Sequence, residues 1–252
     1  GKKLSQVEIE KLFSRHNLSA VVYQTSKASK VEEIILNHKN DSVVFCAIGG
    51  DGPLSNLIDN LLKNNVSNPE VACLPSGSGS DFMRTFAFPK NINEGIKRLK
   101  NDQNYKIDVA HISSSNNSRY FVNVLNYGFL ADTVHTSESL PRIFKRFRYP
   151  ISFWLKLLPA KSMLFQIEND RFNFNNLAFN ISICNGQFFG GGWNISPTSS
   201  LQDGLLNIQI FKVTKLKAMK LFFLAKKGLH LTEPDVILKK SNKLTILTPN
   251  TI

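Results

Sequence analysis

The sequence is short of cysteine, of tryptophan and of acid: its 252 residues hold three Cys, two Trp and 19 Asp+Glu against 31 Lys+Arg. Cys46, Cys73 and Cys184 stand singly in apolar surroundings, with no C-x-x-C and no Cys/His ligand spacing. That excludes a disulfide framework and a thiolate metal centre, and predicts buried, reduced thiols in a cytosolic protein. Long apolar runs are missing too. Leu221-Phe222-Phe223-Leu224-Ala225 falls far short of the ~20 residues a membrane span needs, and no signal peptide pattern opens the sequence, so a soluble or peripheral protein is expected. The acid deficit leaves a formal charge of +12, which predicts attraction to polyanions: nucleic acid, an anionic membrane surface or phosphorylated substrates. His16, His38, His111, His135 and His230 are scattered without ligand spacing, which assigns them surface or structural roles.

Two domains are expected from the length and from a change of texture along the chain. Up to about residue 107 strands and helices alternate. Strands are expected at Ala20–Tyr23, Val43–Ile48 and Val71–Leu74, and helices at Lys30–Asn37, Leu54–Lys63, Asp81–Thr85 and Asn93–Lys100. Such alternation with short connections predicts a parallel sheet whose ligands sit at the carboxyl ends of its strands. Beyond Ile107 short apolar or alternating runs take over, at 106–112, 120–125, 164–167, 172–174, 177–183, 205–211 and 244–247, split by turn residues such as Asn169-Asp170. They predict a mostly β second domain, a sandwich or barrel.

Three glycine-rich signatures carry the chemistry. Gly49, Gly50, Asp51 and Gly52 follow the buried-strand pattern Val43–Ile48, and Leu54, Leu57, Ile58, Leu61 and Leu62 follow at helical spacing. Glycines there let backbone N–H groups approach a phosphate, and the helix dipole favours an anion. Pro53 fits a first helical turn. The second signature, Pro75-Ser76-Gly77-Ser78-Gly79-Ser80-Asp81, again follows a strand and opens a helix, with Ser80 or Asp81 as its cap. The third lies in the β part: Asn185-Gly186, then Gly190-Gly191-Gly192-Trp193, then Asp203-Gly204-Leu205. Glycine at this density marks close backbone approach or bulges. Asp203 caps a turn with Gly204 or binds a hard cation with backbone carbonyls.

In this order the signatures resemble the diacylglycerol kinase catalytic domain family, in particular its soluble bacterial lipid kinases, with sphingosine and ceramide kinases as relatives. Lys106-Ile107-Asp108, Phe121-Val122-Asn123 and Gly128 add to the match, which covers nearly the whole chain. The resemblance implies an α/β fold. Residues 1–107 would form a Rossmann-like nucleotide-binding domain of the NAD kinase and phosphofructokinase type, and residues 108–252 a β-sandwich contributing the lipid and metal site. It implies transfer of the γ-phosphate of ATP to a diacylglycerol-like hydroxyl, with nucleotide in the cleft between the two domains. Nucleotide contacts would fall on Thr25, Gly49, Gly50, Asp51, Gly52, Ser76, Gly77, Ser78 and Gly79, and a structural Mg²⁺ on Asp203 with a backbone carbonyl near Leu205. Asp51 is the candidate catalytic residue, orienting the loop or a metal. A NAD-kinase-like enzyme with a soluble substrate and a non-catalytic nucleotide- or lipid-binding relative are the alternatives.

The sequence departs from the family pattern at three places. Pro53 stands where the family has Thr, Ser80 where it has Asn, and the sequence runs from Gly1 to Ile252 without the initial Asn-Pro strand or the final Asp-Gly-Glu whose carboxylate is the proposed general base. A chain trimmed at both ends or a short one is expected, and the base is not identifiable. The stretch Pro141–Trp154 interleaves Arg142, Lys145, Arg146 and Arg148 with aromatics. It reads as a surface for an anionic membrane, with a solvated loop and, less favoured, nucleic acid as the competing readings. The expectation is a cytoplasmic, peripherally membrane-associated enzyme, with a homodimer as a permitted assembly.

Overall fold

The computed structural model describes residues 4–25, 28–76, 80–101 and 103–248. The chain divides into two units, residues 1–106 with 111–121 and residues 107–110 with 122–252. The fold is mixed α/β, with an α/β unit first and a unit of antiparallel sheets second.

The first unit opens with helix α1, Gln6–Arg15, held by a capping box in which Ser5 and Glu8 satisfy one another's backbone N–H groups. Then come α2 (Ala28–His38), β1 (Val44–Gly49), α3 (Asp51–Lys63), β2 (Glu70–Pro75), α4 (Asp81–Thr85), α5 (Ile92–Leu99) and the hairpin strands β3 (Ala110–Ser113) and β4 (Ser118–Phe121). β1 and β2 pair in parallel with Gly49 opposite Pro75, so the segments leaving both strands start from one sheet edge. Ile9 and Phe13 of α1 pack with Leu74 of β2 and Ile96 of α5, and α3 buries Leu54, Leu57, Ile58 and Leu61 at helical spacing. The strand expected at Ala20–Tyr23 is not formed. Ala20 and Val22 do turn inward against this cluster. The Val22 N–H, however, donates to the Glu10 carboxylate at 3.2 Å instead of to a neighbouring strand.

The second unit contains β5 (Val124–Gly128), α6 (Phe129–Ser139), a 3₁₀ turn over Arg142–Phe147, α7 (Arg148–Leu157), β6 (Met163–Glu168), β7 (Phe174–Ala178), β8 (Asn180–Cys184), β9 (Leu206–Phe211), α8 (Lys215–Ala225), β10 (Val236–Ser241) and β11 (Thr245–Leu247). Two antiparallel sheets result, ordered β10-β9-β8-β5 and β11-β6-β7. Three helices qualify the expectation of a mostly β unit. The run 177–183, read as one strand, is two: at Phe179 the chain leaves one sheet and enters the other, and the Phe179 N–H donates to the Phe211 carbonyl at 2.8 Å. Aromatic side chains of α6, α7 and α8 form the core above the larger sheet, with Phe129, Phe153, Phe179 and Phe211 all buried.

The glycines of the third signature serve that core. Gly190, Gly191 and Gly192 all have positive φ, and a Cβ on Gly190 would stand 3.2 Å from the Tyr149 ring, so the Phe189–Trp193 turn closes tightly on α7.

His230 is fully buried beside Gln209: its Nε2 lies 3.1 Å from Gln209 Oε1, and Gln209 in turn donates to the Ile195 carbonyl at 2.7 Å. Burial pushes the imidazole down to about 4 from its usual 6.5. Above about pH 6.5 folded and unfolded chains both hold the ring neutral. As the pH falls from there towards 4 the unfolded chain takes up a proton that the folded chain refuses, so stability is lost across that window. The urea midpoint is therefore expected to drop between pH 7 and 4.5, and His230→Gln is expected to lose less over the same interval.

Candidate nucleotide and metal site

The Asp51 carboxylate joins the two glycine-rich segments of the first unit. Asp51 is the first residue of α3, directly after β1. Its Oδ1 accepts from the Ser80 hydroxyl at 2.8 Å and from the Phe82 N–H at 2.9 Å, and its Oδ2 accepts from the Asp81 N–H at 2.8 Å. A side chain from one loop thus caps the helix that follows the other, and puts a negative charge at that helix's positive end. Ser80 completes the cap by accepting from the Met83 N–H at 3.3 Å, as the sequence predicts. Asp81 is buried and meets the Arg84 guanidinium at 3.3 Å. On β2, burial and then the Asp51 charge push the Cys73 thiol up to about 12, which leaves it inert.

Gly49 and Gly52 do different work. A Cβ on Gly49 would lie 2.8 Å from Pro53 Cγ, so the proline ring closes directly over the end of β1. A Cβ on Gly52 would meet none of the described residues within 4 Å. The α3 N-terminus begins at Gly50 with no side-chain cap, and the Gly52 N–H, in the first turn, has no acceptor one turn earlier within the helix. An uncapped helix N-terminus beneath open space is chemistry that fits a phosphate. Thr25 lies exposed in the coil before α2, and Ser76 directly follows β2. Gly77, Ser78 and Gly79 lie outside the described residues.

In the second unit Asp203 and Leu205 share a turn, where Asp203 Oδ1 accepts the Leu205 N–H at 3.1 Å. Asp108 reaches the same turn and accepts the Gly204 N–H at 2.7 Å. Two carboxylates on one turn supply the hard oxygens that Mg²⁺ prefers. Among the described residues no group of three or more His, Cys, Asp and Glu gathers to hold a metal, so backbone carbonyls and water would complete its shell. Lys240 Nζ stands 3.3 Å from Asp203 Oδ2. A partly exposed pair of this kind holds about 0–1 kcal/mol, so it is a weak competitor for a divalent ion. The residue type and the Asp-Gly turn mark Asp203 in the sequence. Lys240 carries no such mark, since it reaches the turn only through the pairing of β9 with β10.

Two expected outcomes test this geometry. Asp51→Ala strands two backbone donors and a hydroxyl and should destabilise the first unit by about 2 kcal/mol or more, with Asp51→Asn milder because it keeps one acceptor oxygen; chemical denaturation measures both. Gly49→Ala should cost about 1–3 kcal/mol through overpacking against Pro53, most of it recovered in the Gly49→Ala/Pro53→Ala double variant.

Residues 1–112 match the diacylglycerol kinase catalytic domain, and residues 123–251 match the YegS C-terminal NAD kinase β-sandwich-like domain. A Cronobacter sakazakii protein named "Probable lipid kinase YegS-like" is 29% identical over 66% of this chain and 55% of its own length. The Bacillus subtilis protein named diacylglycerol kinase is 25% identical over 81% of this chain and 66% of its own. The chain therefore spans little more than half the length of several relatives it matches. A crystal structure titled as a diacylglycerol kinase from Bacillus anthracis superposes with a TM-score of 0.73 at 20% identity, covering 95% of this chain and 78% of that one, and so shares the fold. With these two domains in this order, the chain belongs to the diacylglycerol kinase catalytic domain family, in the branch that carries the YegS-type C-terminal domain.

Proposed function

We propose that this chain is the body of a lipid kinase: ATP gives its γ-phosphate to the hydroxyl of a diacylglycerol-like lipid, yielding phosphatidic acid or a similar lipid phosphate. The observation that carries the reading is the Asp51 tie, which joins the start of α3, after β1, to the start of α4, after β2, beside a helix N-terminus that has no side-chain cap. In this reading residues 1–107 bind the nucleotide through Thr25, Gly49 to Gly52 and Ser76 to Gly79, and residues 108–252 serve the lipid. Asp203, with a carbonyl near Leu205, holds Mg²⁺.

Phosphoryl transfer demands positioning and charge neutralisation more than covalent help from the protein. The lipid oxygen bonds to the γ-phosphorus as the bond from that phosphorus to the bridging oxygen breaks, ADP leaves, and the hydroxyl proton passes to a base that we assign to no residue of this chain. The Mg²⁺ that accompanies ATP would supply neutralising charge, while an ion at Asp203 would have a structural role. Asp51 acts by orientation, since both its oxygens already accept hydrogen bonds that fix α4 relative to α3. The enzyme works at an anionic membrane surface, peripherally, from the cytoplasm. Among the described residues no helix is long and apolar enough to cross a membrane.

Gly52→Val separates the site from the fold. Among the described residues nothing lies within 4 Å of a Cβ at this position, in the first turn of α3. The melting temperature should stay near the wild-type value while ATP affinity, measured by calorimetry, falls about tenfold or more. Undiminished ATP binding would place the nucleotide elsewhere. Phosphate transfer to NAD in preference to diacylglycerol micelles would select the soluble-substrate alternative.

A further inference from the structure

The whole charge excess of this protein lies in two stretches. Residues 139–167 hold Arg142, Lys145, Arg146, Arg148, Lys156 and Lys161, and residues 204–232 hold six lysines; neither stretch has an Asp or Glu. The rest of the chain carries nineteen Lys+Arg and nineteen Asp+Glu. The first stretch spans α7 and the second α8, and the fold lays these helices together. Trp154 of α7 meets Phe222 and Phe223 of α8 in tilted ring contacts, with centroids 5.7 and 6.3 Å apart, and Lys215 Nζ donates to the Leu158 carbonyl.

α8 is apolar on two opposite sides. Ala218, Leu221 and Ala225 face the core, while Leu216, Met219 and Phe223, spaced three and four residues apart, form a stripe turned to solvent, with Leu216 79% and Phe223 65% exposed. Across the Trp154 seam the α7 segment adds Leu155 and Leu158, at 58% and 81%. Neighbouring exposed apolar side chains among cations, on a helix pair too short and too charged to span, are the pattern of interfacial docking.

We infer that α7 and α8 together form one membrane-docking face, in which Leu155, Leu158, Leu216 and Phe223 enter the headgroup and acyl boundary of an anionic bilayer while Lys156, Lys226 and Lys227 meet lipid phosphates; Lys217 and Lys220 are instead paired with Glu233 and Asp235. The inference rests on the membrane part of the function proposed above and extends it to α8, a helix outside the Pro141–Trp154 stretch. Charge complementarity selects an anionic bilayer. Three of the four apolar side chains, Leu155, Leu158 and Leu216, are aliphatic and offer no ring for a base to stack on, which favours the bilayer over nucleic acid.

Vesicle co-sedimentation tests it, using phosphatidylcholine alone and phosphatidylcholine mixed with phosphatidylglycerol. Binding should require the anionic lipid and weaken with salt, because the charges are screened within about 8 Å at physiological ionic strength. Leu216→Ser/Phe223→Ser and Leu155→Ser/Leu158→Ser should each weaken binding about tenfold or more without changing net charge. Leu177→Ser, an exposed leucine on β7 in the other sheet, should have no effect. Unchanged binding in the α8 variant overturns the inference. So does displacement of the protein from vesicles by homopolymeric RNA, or a wild-type dimer that the α8 variant dissociates. ATP affinity should be the same in all these variants. Loss of ATP binding in the wild type with this vesicle pattern intact would overturn the kinase reading alone.

Discussion

One carboxylate sets the geometry on which the candidate nucleotide site depends. Asp51 begins α3 yet spends its oxygens on the start of α4, across a gap of about thirty residues in sequence. A free carboxylate at the first position of α3 would occupy the positive end that a phosphate needs. Turned towards α4, it gives its charge to a different helix dipole and leaves the α3 N-terminus to a ligand. The parallel pairing of Gly49 with Pro75 makes this reach possible, because it starts both loops from the same edge. Sheet register, loop composition and capping therefore depend on one another.

Much of the first unit was legible because its signals are local. The helix at Asp81–Thr85 has its cap residue beside it, and α3 shows its buried face as a periodic run of leucine and isoleucine. β1 and β2 were found within a residue or two. The Ala20–Tyr23 expectation failed for a tertiary reason: the alternation of inward and outward side chains is real, but a glutamate of α1 takes the amide that a neighbouring strand would have used. In the second unit, α6, α7 and α8 escaped notice because their apolar residues serve more than one face. α8 carries apolar stripes on opposite sides, so its periodicity resembles neither an amphipathic helix nor a strand.

For the candidate site, residue types were legible and partners were not. Asp51 and Asp203 stand out as acids among glycines, but nothing local says that Asp51 meets Ser80 or that Lys240 and Asp108 reach the Asp203 turn. Those contacts join residues far apart in sequence through strand pairing and loop packing. The cysteines show the opposite case: apolar neighbours suffice to predict inert thiols, and burial pushes Cys46, Cys73 and Cys184 each up to about 12.

Pro53 gains a second meaning from its surroundings. Read along the sequence, it is a missing hydroxyl and a missing N–H in a phosphate-type loop. In the fold its ring covers Gly49, filling the space in which a side chain at the end of β1 would sit. Proline fixes φ and so reduces the freedom of the unfolded loop as well. The exchange at this position is thus one potential phosphate contact for a stiffer strand-to-helix turn. A turn held by Pro53 on one side and by the Asp51 cap on the other presents the remaining α3 N–H groups in a fixed direction, and ordering already completed before binding is entropy that a ligand does not have to supply.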